Sequence, residues 1–474
     1  MAGLISSLDA SVAAMSAQSI AIDVTGKNLS NVNNTSYSRE VVNFGSAGTV
    51  TTSTGPESEG LEAQSVQQIR DSVLDSQVMS SDSQASYYTT QQSAYQQAQA
   101  GLGQTVSSSD STATSQSGSD SGVGAALDDM FNAFQSFAAN PTDSGTRQAL
   151  LQTASILTDR LQSTDANLAQ VQSGLTTQIN GNVTTANSLL TDIAGLNTQI
   201  NRLELNSPGS AVDLRDQRQA DLEQLAGLMP VTSTEGANGE DQVTAVGPSG
   251  SSVTLVSNGT VTGPVTFNGT NQVSAGSPAK VLSLTSGSIQ GAIDSSTGGI
   301  QTLRDNLNAL SNQLVTSVNA VYNPTGLTGN FFNASNTTAA TISVDPSVTA
   351  ANLKASDGGA AGDNTVALGV ANLANQTFST SGSDSIDGTF DTFYAGTVSG
   401  FGQTLAGVNS QVTDQTSIQT ITTNQRNAVS GVNLDEEMAN LLKYQRSYQA
   451  SAQVFQTVDS LLDTVITTMG TITA

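Results

Sequence analysis

Residues 434–469 read LDEEMANLLKYQRSYQASAQVFQTVDSLLDTVITTM, and this stretch decides the fold. Its apolar residues recur at alternating steps of four and three, with Gln445 and Asp459 as polar exceptions. That spacing is typical of the seam of a coiled-coil helix. No Gly lies between Val432 and Met469, so the pattern predicts a single helix about 55 Å long. The seam consists of Leu434, Met438, Leu441, Tyr448, Ala452, Phe455, Leu462 and Ile466.

The beginning of this helix carries its own signals. Asn433 is a suitable N-cap residue. Asp435, Glu436 and Glu437 follow in the first turn, where the helix dipole favours negative charge. We therefore interpret these three carboxylates as capping charge and not as a catalytic cluster.

The opposite end of the chain repeats the seam pattern, with interruptions at Ser19 and Gly26. Either seam alone would be marginal as an isolated helix in water. Two interpretations stay open: the seams pack on each other or on neighbouring subunits, or they form an ordinary two-helix core buried against the rest of the domain. A membrane-surface helix is disfavoured, because the polar faces lack Lys and Arg. The N-terminal seam consists of Met1, Ile5, Leu8, Val12, Met15, Ile22 and Leu29.

Between the two ends, helical and strand patterns alternate. Residues 103–122 are rich in Ser, Asp and Gly and predict a loop. Residues 231–285 hold short Val/Thr/Leu alternations, which predict antiparallel strands joined by Asn-Gly turns at 238–239, 258–259 and 268–269. A further short strand is expected at Thr341–Val344. Apolar periodicity predicts helices over 61–101, 124–139, 144–204, 211–228, 289–321 and about 399–423.

These patterns are nested, because helical ends enclose a helical middle that encloses a β insertion. The expected fold is mainly α with a β insertion: an elongated multi-domain rod with a coiled-coil-like terminal domain, a helical middle domain and a small antiparallel β outer domain. The predicted boundaries are 1–60 with 430–474 for the terminal domain, 61–230 with 286–429 for the middle domain, and 231–285 for the β domain.

The composition excludes several functions. Fourteen Lys and Arg stand against 39 Asp and Glu, a net charge of −25, and Cys, His and Trp are absent. Without thiolates or imidazoles there is no disulfide, zinc site, haem ligand or Ser-His-Asp triad. Nucleic acid and anionic membranes are disfavoured as partners, since both attract clustered Lys and Arg.

We therefore expect no enzyme, catalytic residue, cofactor or metal. Asp128 and Asp129 resemble capping charge, and Asp357–Asp363 predicts a turn, because its spacing does not suit calcium. The N-terminus lacks a basic segment, Asp9 interrupts its apolar run, and no stretch is long enough for a transmembrane helix. We expect an exported protein without a cleaved signal peptide.

Two terminal motifs resemble those of bacterial flagellar axial proteins. The N-terminal motif is shared with rod and hook proteins and comprises Asn28, Asn31, Asn33, Tyr37, Ser38 and Arg39. The C-terminal motif is similar to that of the hook-associated protein 1 family and includes Gly431, Val432, Asn433, Asp435, Glu436, Tyr444 and Gln445.

Internal stretches carry the same resemblance, namely Leu127–Phe131 with Asn140, Pro141 and Arg147, and the segment Asp213–Arg218. One departure is that Asn34-Thr35-Ser36 stands where the family usually has Thr-Pro-Gly. These residues also favour turns. The chain is short for the family, with one visible β insertion, which indicates that a further outer domain is absent.

The resemblance implies a structural subunit that joins the flagellar hook to the filament. It implies type III export in an unfolded state, a cytosolic chaperone at the C-terminal region, and terminal segments that are disordered in the free monomer and fold on assembly. The implied partners are further copies in a homo-oligomeric junction layer, the hook protein and the second junction protein, and the implied location is the extracellular flagellum.

Two other functions stay open. A filament subunit resembling flagellin would polymerise without limit. A secreted adhesin would bind a surface through residues 231–285, and would lose that binding when the segment is deleted.

Overall fold

Helices form most of the chain, as the apolar periodicity predicts. The computed structural model describes residues 2–52, 55–58, 60–103, 122–236, 238–326, 329–358 and 362–470. The helices are α1 (Ala2–Ser30), α2 (Ser72–Gly101), α3 (Val123–Ala139), α4 (Ser144–Glu204), α5 (Val212–Leu228), α6 (Gly287–Asp294), α7 (Ile300–Tyr322), α8 (Thr365–Asn372), α9 (Phe390–Ser430) and α10 (Leu434–Gly470).

The strands are short and antiparallel. Their bounds are β1 (Glu40–Ser46), β2 (Thr49–Thr52), β3 (Gly55–Ser58), β4 (Leu61–Gln68), β5 (Thr232–Glu235), β6 (Asp241–Val246), β7 (Ser252–Ser257), β8 (Thr260–Val261), β9 (Thr266–Phe267), β10 (Val273–Ala275) and β11 (Lys280–Val281). Strand β1 pairs with β4 and β2 with β3, while the β insertion holds one sheet of order β5-β6-β7-β8 and another of order β11-β10-β9.

The middle of the chain has a continuous apolar core. Helix α4 runs without a break for 61 residues, and the Asp143 carboxylate caps it by accepting from the backbone N–H groups of Gly145 and Thr146. The apolar face of α3 packs against α4, and its Phe134 and Phe137 are completely buried. Phe331 of the chain beyond α7 contacts Phe134, with ring centroids 5.0 Å apart. Large side chains thus fill this core.

The strand predictions for the β insertion are confirmed. Asn258 and Gly259 both have positive φ, 49° and 70°, between β7 and β8. This is the left-handed pair that a two-residue hairpin turn requires. Gly239 and Gly269, at the other two Asn-Gly pairs, also have positive φ.

Several predictions about the middle need correction. Residues 61–68 form a strand and not a helix, because β4 pairs with β1 and alternates in burial along its length. The following helix begins at Ser72, where the Asp71 carboxylate caps it. A π-helical turn at Ser295–Gly299 interrupts the expected helix at 289–321. Thr341–Val344 forms no strand, and Val344 makes only an isolated bridge with Phe332.

Some of the predicted segments lie partly or wholly outside the described residues. Most of the loop predicted over 103–122 lies outside the described residues, as do Met1 and part of Asp357–Asp363. None of the helices in the described part of the chain combines the length and hydropathy needed to cross a membrane.

Candidate assembly interface

The first and last helices lie side by side, and the buried apolar residues of α1 are mostly small. Ala17, Ala21 and Val24 form the buried face of α1, and Val458 is buried on α10. Phe44 and Tyr444 extend this contact to the β1–β4 hairpin, with ring centroids 6.1 Å apart. The pair of helices therefore packs closely but buries little apolar surface per turn.

The contact between α1 and α10 buries the predicted seam residues only in part. Six seam residues are 40–64 % exposed, and we call them the exposed seam residues: Ile5, Val12, Leu434, Met438, Tyr448 and Ile466. The other described seam residues are half-buried: Leu8, Met15, Ile22, Leu29, Leu441, Ala452, Phe455 and Leu462. In one chain the two helices therefore bury their seams only in part, and both interpretations of the seams stay open.

The two terminal motifs meet at one buried polar cluster. The Asn28 side chain, 1 % exposed, donates to the Glu40 carbonyl at 2.9 Å and to Glu437 Oε2 at 3.0 Å. Its own Oδ1 accepts from the Tyr37 hydroxyl at 2.8 Å and from the Glu40 N–H at 3.0 Å. One amide thus joins α1, the following loop, β1 and α10.

Arg39 connects the same region to α9 and α10 through a backbone hydrogen bond and two ion pairs. Its backbone N–H donates to the Ser430 carbonyl at 2.8 Å. Its guanidinium contacts Glu436 at 2.7 Å and Glu437 at 2.9 Å. The first-turn acids are therefore more than capping charge, because two of them hold Arg39. Asn433 is confirmed as the N-cap, since its Oδ1 accepts hydrogen bonds from the backbone N–H groups of Asp435 and Glu436.

The remaining motif residues have separate roles. Asn31 donates to the Lys27 carbonyl at the end of α1, while Asn33 and Gln445 are exposed. Gly431 and Val432 link α9 to α10, and a Cβ at Gly431 would collide with the Asn427 carbonyl. The turn is retained without Pro-Gly: the Ser36 N–H donates to Asn34 Oδ1, and the Tyr37 N–H donates to the Asn34 carbonyl.

A second set of charges fastens this cluster to the middle of the chain. Asp216 of α5 accepts from Arg70 at 2.6 Å and from the Ser38 N–H at 3.3 Å. Arg426 of α9 pairs with Glu223 and donates to the Thr35 carbonyl at 3.0 Å. Burial raises the pKa of Asp216 to about 6, although Arg70 opposes that change.

The segment Asp213–Arg218 also holds the β insertion. Arg218 is 4 % exposed; it contacts Asp241 at 3.1 Å and donates to Asn197 at 2.9 Å. Arg215 contacts Glu204 at 2.7 Å. Helix α5 therefore links the terminal cluster on one side to the β insertion on the other.

Four residues of this linkage were not predicted from the sequence, namely Arg70, Arg426, Asn197 and Asp241. A usable signal was the scarcity of Lys and Arg: in a chain of net charge −25, each Arg in a predicted helix has an excess of acids as candidate partners. Within the described ranges, no group of three or more metal-binding side chains is present.

Comparisons with known proteins address these same regions. Residues 111–332 match the sequence model of the flagellar hook-associated protein FlgK helical domain. Residues 423–468 match that of the flagellar basal body rod FlgEFG protein C-terminal region. Flagellar hook-associated protein 1 of Bacillus subtilis is 26 % identical over 512 residues, covering 96 % of this chain and 97 % of the relative. Over nearly its whole length the chain is therefore similar to a flagellar hook-associated protein 1.

Two further similarities are more limited. Flagellar hook-associated protein 1 of Salmonella typhimurium is 41 % identical over 78 residues, which covers 16 % of this chain and 14 % of the relative. The solved structure of the flagellar hook junction protein FlgK from Burkholderia pseudomallei is 22 % identical, covers 52 % of this chain and 43 % of that one, and gives a TM-score of 0.44.

These similarities bear on several expectations. The similar proteins are named as structural components of the flagellum, which supports the expectations of an extracellular flagellar protein and of no enzyme. The alignment covers 97 % of the Bacillus subtilis protein, and the expectation that the chain is short for the family stays a prediction.

Proposed function

We propose that this chain is a structural subunit of the bacterial flagellum that joins the hook to the filament. The observation that carries the proposal is the cluster in which both chain ends meet, Asn28 and Arg39 with Glu436 and Glu437. It lies where the family motifs lie, within a chain similar over nearly its whole length to a flagellar hook-associated protein 1. Similarity to that protein supports assembly in the flagellum with hook and filament proteins.

The chain is proposed to work as three units. Residues 1–60 with 430–474 form the terminal unit, 61–230 with 286–429 the middle, and 231–285 the β unit. Contacts of α1 with β1 and α10 support the first unit, and the large apolar core supports the second. Strand β4, which pairs with β1, lies just beyond the proposed boundary at residue 60. The sheets of 232–281 support the third.

The exposed seam residues are proposed to complete their packing against neighbouring copies in a homo-oligomeric layer. Apolar side chains in heptad spacing that stay exposed in one chain are typical of a coiled-coil surface awaiting partner helices. Burial of such residues contributes roughly 1.5–3 kcal/mol for each side chain. Neighbours would therefore supply the stability that the isolated pair of helices lacks.

Four further partners and steps belong to the proposal. The hook protein lies on one side of the layer and the second junction protein on the filament side. A cytosolic export chaperone covers the C-terminal region before assembly, where α10 exposes apolar side chains. Export follows the type III route without a cleaved signal peptide.

The direct test removes residues 434–474. The shortened chain should keep a folded middle, as measured by circular dichroism, but should no longer attach to isolated hooks under electron microscopy. Attachment at the normal level would contradict the proposal. Unlimited polymerisation of the full chain alone would instead indicate a filament subunit.

A further inference from the structure

Glu40 is an unusual residue at the base of the β1–β4 hairpin. The residue is 2 % exposed, and neither carboxylate oxygen has a hydrogen-bond partner. Its backbone N–H and carbonyl both bond to the Asn28 side chain, which holds the Glu40 backbone in this buried position. A buried carboxylate without a partner is strongly disfavoured in its charged form.

The groups that face Glu40 do not neutralise it. Asp23 and Lys27 of α1 are within electrostatic range, as are Asp213 and Asp216 of α5. Lys27 favours the charged form of Glu40, but the three acids oppose it, and burial is the largest influence. Tyr37 also faces Glu40, and burial together with that carboxylate raises the pKa of the phenol.

A metal ion is not the species that fits this position, since the described residues contain no group able to hold one. A proton does fit, because it removes the charge without needing further ligands. We propose that Glu40 makes the contact between the polar cluster and α5, which we call the joint, proton-linked: the joint closes with the Glu40 carboxyl protonated and loosens as the pH rises.

The direction follows from the burial. In the open joint Glu40 is hydrated and has the ordinary pKa of a glutamate, about 4.3. In the closed joint burial raises its pKa. The closed state therefore binds the proton more tightly, so closing is favoured at low pH and weakens as the pH rises through the raised value. One linked proton changes the closing equilibrium by at most about tenfold per pH unit.

Hydrogen exchange of the full chain, measured between about pH 5 and pH 8 and corrected for the intrinsic pH dependence of exchange, tests this linkage. Backbone amides in β1 and in the first turns of α10 should show larger opening constants at higher pH. Glu40→Gln should make the plot of log opening constant against pH shallower, by up to about one proton. Glu40→Met, which also removes the titrating group, should do the same if the amide variant folds poorly.

Glu62→Gln is the matched control, because Glu62 lies on the partner strand β4 but is exposed. This variant should keep the wild-type slope. Equal slopes in the wild type and both Glu40 variants, or a wild type whose opening does not change with pH, would overturn the proposal. The test does not depend on hooks or assembly, so its outcome is separate from that of the proposed function.

Discussion

The middle of the molecule and its terminal helices differ in how completely they bury their apolar side chains. In the middle, large side chains such as Phe134, Phe137 and Leu150 are completely buried. In the terminal pair the buried face of α1 is made of Ala17 and Ala21, while Ile5 and Met438 are half exposed. Thus the middle completes its core within one chain, whereas the terminal pair leaves part of its apolar surface exposed.

The two regions also differ in what fixes their geometry. The middle core is held chiefly by apolar area, which needs no particular partner atom. The terminal pair is positioned by directed contacts of Asn28 and Arg39 with Glu437. Directed polar contacts specify one arrangement while adding modest net stability. This combination suits a segment that must adopt a defined shape only when other subunits are present.

The largest expected effect is in the middle core. Phe134→Ala should lower the free energy of unfolding of the full chain by about 3–5 kcal/mol, because it empties a closely packed site. Urea unfolding followed by circular dichroism would measure it. Phe134→Leu should cost less, since it fills most of the volume. A loss below about 1 kcal/mol for the alanine variant would mean that this core is not what holds the middle together.

An intermediate effect is expected at Arg39. Arg39→Ala should weaken closing of the terminal pair by about 3 kcal/mol, because Glu437, with a side chain 3 % exposed, loses its cation. Hydrogen exchange in the first turns of α10 would report it, while the middle should be unchanged. Glu436→Ala should cost less, since that side chain is 52 % exposed. A double-mutant cycle with Glu437→Ala should show coupling, and strictly additive losses would argue against the pair.

The smallest effect on the free chain is expected at the exposed seam residues. Ile5→Ser and Met438→Ser should change the free energy of unfolding by no more than about 0.5 kcal/mol, since little packing is lost. The same variants should reduce attachment to isolated hooks. Val458→Ser is the control, because this buried residue of α10 should destabilise the terminal pair itself. Unimpaired hook attachment by both seam variants would remove the role assigned to these residues.

The sequence predicts long elements well and their contacts poorly. The 61-residue α4 and the turn at Asn258 are local features, determined by periodicity and by backbone preference. Strand β4 was missed because its apolar residues also fit a helical spacing, and only pairing with β1 distinguishes the two. The seam residues are visible in the sequence, but the spacing does not indicate which of them stay exposed in the folded chain.

The polar cluster shows the same limit. Asn28 and Glu437 are 409 positions apart, and no local pattern indicates that they share a hydrogen bond. The motifs identify the residues, and the structure supplies the pairing. Arg70 and Arg426 were missed for this reason, since each acts through a partner on another helix.

The most direct test of the contrast between the two regions uses the absence of cysteine from the chain. Met438→Cys introduces a single thiol at an exposed seam residue, and Thr260→Cys places one on the exposed β8 as a reference. Thiol labelling is compared for the free protein and for protein attached to isolated hooks. We predict that both variants label rapidly when free and that only Met438→Cys becomes protected on hooks. Equally rapid labelling of Met438→Cys in both states would contradict the claim that neighbouring subunits complete the terminal core.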